Sequence, residues 1–263
     1  MAYTLLKKVY DGVDGTNISE FRCDQYLLLM GLCERLGEQI VSYAGIQAEA
    51  ESVKLFGVTT KAANAVRTIC PILNKFGFVR PYQHAEFPAN EFFTPAGKMF
   101  VKILSALQKS SKLEERIPQL ETILTDVKVK AIQLGLLNMI YSQPNHKIWL
   151  IVYALSELGY ITKNIYYYML RAIQEETSVS EAIMQVKKNA SAADDEYLRE
   201  DGQPMDSTNF GYLIANLRDA GLVNDSNEKE FIPTPDYYRF FSILQSVNID
   251  APNTNLSLIY ECN

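Results

Sequence analysis

The chain has 263 residues, of which 48% are hydrophobic and 21% charged, as is typical of a globular protein with one large or two modest domains. Its net charge of -6 excludes a protein coated over its whole surface by nucleic acid. No apolar run reaches the ~20 residues of a membrane span, and the N-terminus lacks a signal-peptide pattern, so we expect a cytoplasmic protein. The four cysteines and two histidines fit no zinc-finger spacing.

Two helices are predicted in the first third of the chain. Apolar side chains with helical spacing indicate a buried helix over residues 24–48. A second helix is expected to be capped by Thr59 or Thr60 and to end at Gly77, and it contains Pro71, which predicts a kink or a restart. After Gly77, residues 78–79 and 91–93 are predicted to pair, before a further helix begins at Thr94 and Pro95.

The polar face of the second helix carries side chains suited to phosphates and base edges. Within residues 53–113, nine lysines and arginines outnumber two glutamates, so this island is basic in an otherwise acidic chain. We expect Asn64 and Arg67 to read base edges, and Lys54, Lys75, Arg80 and Lys98 to hold the DNA backbone. The candidate DNA-binding residues are Lys54, Lys61, Asn64, Arg67, Thr68, Lys75, Arg80, Gln83 and Lys98.

Residues 114–147 are predicted to form a helical connector, with Ile123, Val127 and Leu134 among its packing positions. Three helices follow, and then a helix whose outward face is expected to offer Thr208, Asn209, Asn216 and Arg218. It ends at Gly221, and two short strands lead to Thr234 and Pro235. Acidic residues surround it, so phosphate contact is expected less here than in the first half.

Both halves therefore show the order helix, glycine stop, strand, turn, strand, and a helix begun by Thr-Pro. This is the order of a winged helix, in which a recognition helix precedes a β wing. We predict a mainly α fold with small β wings (α+β): winged-helix domains over residues 1–113 and 148–263, joined by the connector at 114–147.

Small apolar motifs in the second half carry a resemblance to a known family. They are LSELGYIT at 155–162, VSEAI at 179–183, YLIANLRDAGLV at 212–223 and FIPTP at 231–235. With the first repeat, they resemble the DNA-recognition portion of type II restriction endonucleases that cut or nick at a distance, of the FokI and AlwI kind. The resemblance covers most of residues 25–113 and 148–241. It implies winged-helix subdomains that read an asymmetric double-stranded site, beside a separate nuclease domain of the PD-(D/E)xK class.

The chain departs from that family because no nuclease centre is evident. Such a centre needs acidic residues that hold Mg²⁺ beside a lysine. Asp126 and Lys128, preceded by Glu114 and Glu115, are the nearest match, so Glu115, Asp126 and Lys128 are only weak catalytic candidates. We expect no cofactor or metal in this chain, and Mg²⁺ only where a nuclease domain or subunit is attached.

Other functions stay open. Winged helices also serve as protein-protein scaffolds, for which Tyr166, Tyr167 and Tyr168 are candidate interface aromatics, and they occur in transcription factors and replication initiators. A compact nuclease that uses Glu114 or Glu115 with Asp126 and Lys128 is the remaining alternative.

Overall fold

The computed structural model describes residues 7–8, 17–82, 85–112, 117–142, 147–175, 177–189, 197–198, 208–227 and 229–246. The described chain is mainly helical, with short strands, which confirms a mainly α fold with small β elements. It divides into two compact units, one over residues 15–138 and one that combines residues 1–14 with 139–263. No helix among the described residues is long and apolar enough to cross a membrane. The predicted domain boundaries at 113 and 147 stay a prediction.

The first described element is strand β1 (Lys7–Lys8), which belongs to the second unit. The unit over 15–138 then contains α1 (Cys23–Leu36), β2 (Ile40–Ser42), α2 (Tyr43–Ser52), α3 (Ala62–Lys75), β3 (Glu86–Pro88), α4 (Pro95–Ser110) and most of α5 (Pro118–Ser142). Two 3-10 turns, Glu20–Arg22 and Ala89–Glu91, precede α1 and α4.

The single helix predicted over residues 24–48 is wrong. Gly37 adopts a φ of 59°, which ends α1 after Leu36, and the chain then forms β2. Ser42 begins α2, since its hydroxyl accepts a hydrogen bond from the Gly45 N–H at 3.2 Å. The glycine therefore separates two helices with a strand between them.

A small antiparallel sheet closes this unit. Val41 of β2 lies opposite Phe87 of β3, and both side chains are buried. Val79 forms a bridge with Phe93, and the Arg80 N–H donates to the Phe92 carbonyl at 2.9 Å. The predicted pairing of residues 78–79 with 91–93 is therefore confirmed at Val79 and Phe93.

The second unit repeats the order of elements of the first, with one additional helix and additional strands. It contains β1, α6 (Lys147–Leu158), β4 (Ile161–Thr162), α7 (Lys163–Gln174), α8 (Val179–Lys188), β5 (Tyr197–Leu198), α9 (Thr208–Asp219), β6 (Val223–Asn227), β7 (Glu230–Pro233) and α10 (Pro235–Ser246). Strand β7 lies between β4 and β6 and is antiparallel to both, while β1 pairs with β5 in parallel.

Glycines end α3 and α9 in the same way. Gly77 and Gly221 have φ values of 74° and 68°, in the left-handed region. After Gly77, the Phe78 N–H donates to the Leu73 carbonyl at 2.8 Å, and after Gly221 the Leu222 N–H donates to Leu217 at 2.9 Å. Both are Schellman motifs, so the predicted glycine stops are confirmed.

A threonine joins each of these helix ends to the helix that follows the strands. The Thr94 hydroxyl donates to the Gly77 carbonyl at 2.8 Å and accepts from the Gly97 N–H at 3.1 Å. The Thr234 hydroxyl donates to Gly221 at 2.7 Å and accepts from the Tyr237 N–H at 3.2 Å. One side chain thus caps the later helix and satisfies a carbonyl at the end of the earlier one.

Replacing either threonine with valine should lower the stability of its own unit by about 1–2 kcal/mol, because the swap keeps the side-chain shape and removes both hydrogen bonds. Urea titration combined with hydrogen exchange of α4 and α10 measures this effect. Thr60→Val is the matched control, since Thr60 is exposed and does not cap α3. Equal urea midpoints for Thr94→Val and Thr60→Val would contradict the role of Thr94.

Three further sequence predictions are corrected by burial. Tyr166 and Tyr167 are buried in α7, so they are core residues and not interface aromatics. Asn216 is buried in α9 and does not belong to its outward face. Ile123, Val127 and Leu134 of α5 are 59%, 42% and 65% exposed and do not pack within the chain as predicted. In each case a periodic pattern marks one helix face, and only the packed neighbours decide which face is covered.

Candidate nucleic-acid interface

Helix α3 is amphipathic, and its exposed face carries the polar residues predicted to contact DNA. Val66, Ile69 and Leu73 recur on the buried face, which fixes the helix on the core. The exposed residues at this surface are Lys61, which directly precedes the helix, and Asn64, Arg67 and Thr68 within it. The structure therefore brings four of the predicted residues together on one face, which we name the α3 surface.

The start of α3 differs from the prediction. Neither Thr59 nor Thr60 caps it; Lys61 holds the N-cap position without a side-chain hydrogen bond. Instead, the Glu51 carboxylate of α2 accepts a hydrogen bond from the Ala63 N–H at 3.0 Å. The N-terminus of a helix carries a partial positive charge that attracts anions, and here the Glu51 carboxylate already occupies it. The helix terminus is therefore less suited to a further anion than the exposed side chains of Asn64 and Arg67.

Pro71 lies inside α3 without dividing it, since the helix runs from Ala62 to Lys75. A proline has no N–H, so the carbonyl four residues earlier, at Arg67, loses its helical partner. The Tyr43 hydroxyl donates to the adjacent Val66 carbonyl at 3.2 Å. A side chain of α2 thereby supports α3 where the proline weakens it.

Aromatic side chains pack between α2, α3 and the chain at the small sheet, namely Tyr82, Ala85 and Glu86, which we call the sheet edge. The rings of Tyr43 and Tyr82 stack with centroids 4.1 Å apart, and Tyr43 also stacks on Phe92 at 6.4 Å. Burial raises the pKa of both tyrosines above the ordinary value, so both hydroxyls stay neutral at physiological pH. The stack was missed from the sequence; β-branched residues at 40–41, followed by Ser42, were the signal that Tyr43 begins a new helix.

A groove of about 580 Å³ runs between α2, α3 and the sheet edge. Its lining residues are Ser42, Tyr43, Ala44, Arg67, Pro71, Tyr82, Ala85 and Glu86. Arg67 is thus placed at the boundary between the α3 surface and the sheet edge. Its guanidinium, with a planar set of five donors, is suited to phosphate oxygens and to guanine edges.

The predicted cations divide into two groups. Lys54, Lys61 and Arg67 are exposed and make no ion pair with any other described residue. In contrast, Arg80 forms a salt bridge with Glu91 at 2.5 Å, and the Lys98 ammonium donates to the Asn90 carbonyl at 2.9 Å. The first group keeps its charge available for phosphate, whereas Arg80 and Lys98 have partners within the chain.

Lys75 and Gln83 complete the predicted set. Lys75 is the last residue of α3 and half-buried, and its backbone carbonyl accepts a hydrogen bond from Asn138 at 3.3 Å. Gln83 lies outside the described residues. The Thr68 hydroxyl donates to the Asn64 carbonyl at 2.8 Å, so only its oxygen lone pairs face outward as an acceptor.

The corresponding helix of the second unit has a different surface. Arg218 of α9 forms a salt bridge with Asp225 at 2.6 Å, and its guanidinium lies 5.7 Å from the centre of the Phe231 ring. The β6 carboxylate therefore neutralises the arginine of α9. The lower phosphate contact expected of the second repeat stays a prediction.

The weak catalytic candidates do not assemble into a recognisable centre among the described residues. Asp126 and Lys128 are two positions apart on α5, a spacing at which helical side chains do not face each other. Glu114 and Glu115 lie outside the described residues. Within the described chain, no group of three or more His, Cys, Asp or Glu side chains is placed to hold a metal ion.

No protein-family model, no curated protein and no solved structure matches the chain. A functional assignment therefore depends on the α3 surface and on the repeated arrangement of helices and strands.

Proposed function

We propose that the protein binds double-stranded DNA in a sequence-specific manner, with α3 as the recognition helix of the first of two winged helices. The observation that carries this proposal is the α3 surface, where Lys61, Asn64 and Arg67 are exposed together on a helix whose other face is buried. An α-helix fits the major groove, where Asn pairs with adenine and Arg with guanine. The basic surroundings of α3 supply the charge that attracts phosphate.

The winged-helix assignment is supported by the order of elements in both units. In each, a helix is followed by a short strand, further helices, a Schellman glycine and antiparallel strand pairing, and the last helix then begins after a threonine. The Thr94 and Thr234 hydrogen bonds repeat within this order. Such agreement between two stretches of one chain favours a duplicated module over chance similarity.

The wider proposal is that this chain is the recognition domain or subunit of a cytoplasmic restriction endonuclease, without its own nuclease centre. The resemblance of the motifs to distance-cutting enzymes supports it. Mg²⁺ would then act in an attached nuclease domain or subunit, and not on the described residues of this chain.

The test is a selection from a pooled random duplex library at about 50 mM and about 200 mM salt, with and without Mg²⁺, followed by sequencing of bound and cleaved DNA. We expect one enriched motif and an affinity that falls steeply with salt. The double variant Lys61→Glu/Arg67→Glu should no longer bind the duplexes or enrich the motif. The control variant Arg239→Glu, which replaces an exposed arginine on α10, should keep the motif and the salt-dependent affinity. Absence of binding at the lower salt concentration would overturn the proposal.

A second function, that of a protein-protein scaffold, is favoured by the second unit. Its α9 arginine is paired with Asp225, and acidic residues surround it, which suits a protein partner better than phosphate. Capture of a protein partner without any DNA affinity would support the scaffold. Enrichment of a motif without an associated nuclease would support the initiator or transcription role.

A further inference from the structure

Helix α5 carries an apolar surface that the described chain leaves uncovered. Between residues 117 and 131 no residue is buried, although this stretch includes Leu120, Ile123 and Val127. A helical stretch of about fifteen residues is only marginally stable in water without tertiary packing. The first half of α5 therefore lacks the contacts that usually stabilise an apolar helix.

The exposed apolar residues follow the spacing of a coiled coil. Leu120, Val127 and Leu134 are seven residues apart, and Ile123 and Leu137 fall three residues after the first and the last of them. Leu134 is 65% exposed, while Ile132 and Leu136, on the opposite side of the helix, are buried in the unit. A seven-residue apolar repeat is the pattern by which two helices pack along a common seam.

We propose that a second copy of this chain covers this surface, and that the two α5 helices pack antiparallel. The seam of this repeat consists of Leu120, Ile123, Val127, Lys130, Leu134 and Leu137. Lys130 is its one charged residue and lies seven residues after Ile123 and seven before Leu137. In a parallel pair the two lysines would face each other. In an antiparallel pair with Lys130 opposite Val127 of the second copy, Lys130 instead lies beside Asp126 of that copy, where opposite charges attract.

In the single chain, the Lys130 ammonium donates to the Gln133 side chain at 3.0 Å, so it already lies along the same exposed stretch of α5. Asp126 is exposed and precedes Val127. The seam is thus complementary to itself when inverted, which is the property that a two-fold symmetric interface requires.

The dimer would also fix the separation of two recognition helices. Helix α5 approaches the end of α3 so closely that a Cβ at Gly135 would lie 2.1 Å from Cδ1 of Phe76, and the Asn138 amide donates to the Lys75 carbonyl. A two-fold axis through α5 therefore relates two copies of α3. If the proposed DNA function holds, on which this step depends, each copy reads one asymmetric site, and the dimer prefers two such sites in inverted orientation.

Sedimentation equilibrium from about 1 μM to about 100 μM, the range in which a small helical interface dissociates, tests the dimer without DNA. We expect the mass to rise to twice that of one chain. Ile123→Glu/Leu134→Glu should stay monomeric, and any loss of helical circular dichroism signal should be limited to the size expected for the first half of α5. Met99→Glu, at a 64% exposed position of α4, is the matched control and should dimerise normally. A wild-type chain that stays monomeric throughout, or equal masses for both variants, would overturn the proposal.

A charge exchange tests the antiparallel arrangement. Lys130→Asp should weaken the dimer about tenfold, since the introduced carboxylate would face Asp126 of the other copy, and Asp126→Lys in the same chain should restore it. Failure of the second substitution to restore the dimer would overturn the antiparallel register. Because mass is measured without DNA, loss of dimerisation and loss of DNA binding are distinguishable.

Discussion

Replacement of Gly97 with alanine is expected to destabilise the first unit by about 3 kcal/mol or more. Gly97 lies in the first turn of α4, and its N–H donates to the Thr94 hydroxyl that caps the helix. A Cβ at this position would lie 1.9 Å from the carbonyl oxygen of Phe78 and 2.7 Å from its carbonyl carbon. Both are backbone atoms, so no side-chain rotation relieves the overlap. The start of α4 must move away from the end of α3, which breaks the Thr94 hydrogen bonds.

Urea titration measures this loss, and hydrogen exchange locates it, because a chain with two units need not unfold in one step. Exchange should accelerate in α1 to α4 and stay unchanged in α7 and α8. Gly31→Ala is the matched control: Gly31 lies inside α1 with open space around a new Cβ. Alanine favours a helix by up to about 1 kcal/mol, so the control should be neutral or more stable. Similar urea midpoints for the two variants would contradict the close approach of Gly97 in α4 to the Phe78 backbone.

Replacement of Arg67 with alanine is expected to reduce discrimination between the preferred and random duplexes by about 1–3 kcal/mol, or roughly fivefold to 150-fold. Arg67 is exposed on the α3 surface and makes no ion pair with another described residue, so its donors are available to a guanine edge or a phosphate. It also lines the groove together with Pro71 and the stacked Tyr43 and Tyr82. Its planar set of donors matches the acceptors of a guanine edge.

Competition binding with specific and random duplexes measures the discrimination at two salt concentrations. Lys61→Ala should weaken binding to both duplexes by the same factor. It should also reduce the slope of log affinity against log salt concentration by about one in magnitude, as expected for the loss of a phosphate contact. Arg218→Ala is the control on α9, where Asp225 already neutralises the charge, and it should change little. If Arg67→Ala and Lys61→Ala reduced both affinities equally, Arg67 would be a backbone contact and not a base reader.

Much of the helical architecture could be predicted because its signals are local. Gly77 and Gly221 end their helices with the positive φ that glycine tolerates, and Thr94 and Thr234 cap the helices that follow, as the Thr-Pro pairs indicate. The polar face of α3 could also be predicted, since Lys61, Asn64 and Arg67 alternate with core positions at helical spacing. Each of these features depends on residues within about one helical turn.

The candidate site could be predicted only in part. The sequence selects Lys61, Asn64, Arg67 and Thr68 as one group, and the structure keeps them together on α3. It also selects Arg80 and Lys98, without indicating that Glu91 and the Asn90 carbonyl engage them. The distinction between available and engaged cations therefore required the fold, since charge counting treats both groups alike.

The sequence by itself determined the glycine ends of α3 and α9, the threonine starts of α4 and α10, the mainly α class and the polar face of α3. Only the tertiary structure decided that β2 and β3 pair across more than forty residues, that Glu51 caps α3, and that Ile123 and Val127 are left exposed. The physical reason is the range of each interaction. Caps and helical periodicity act between neighbours in the chain, whereas a strand of three residues is stable only beside its partner. Likewise, the exposure of a helix face depends on what packs against it.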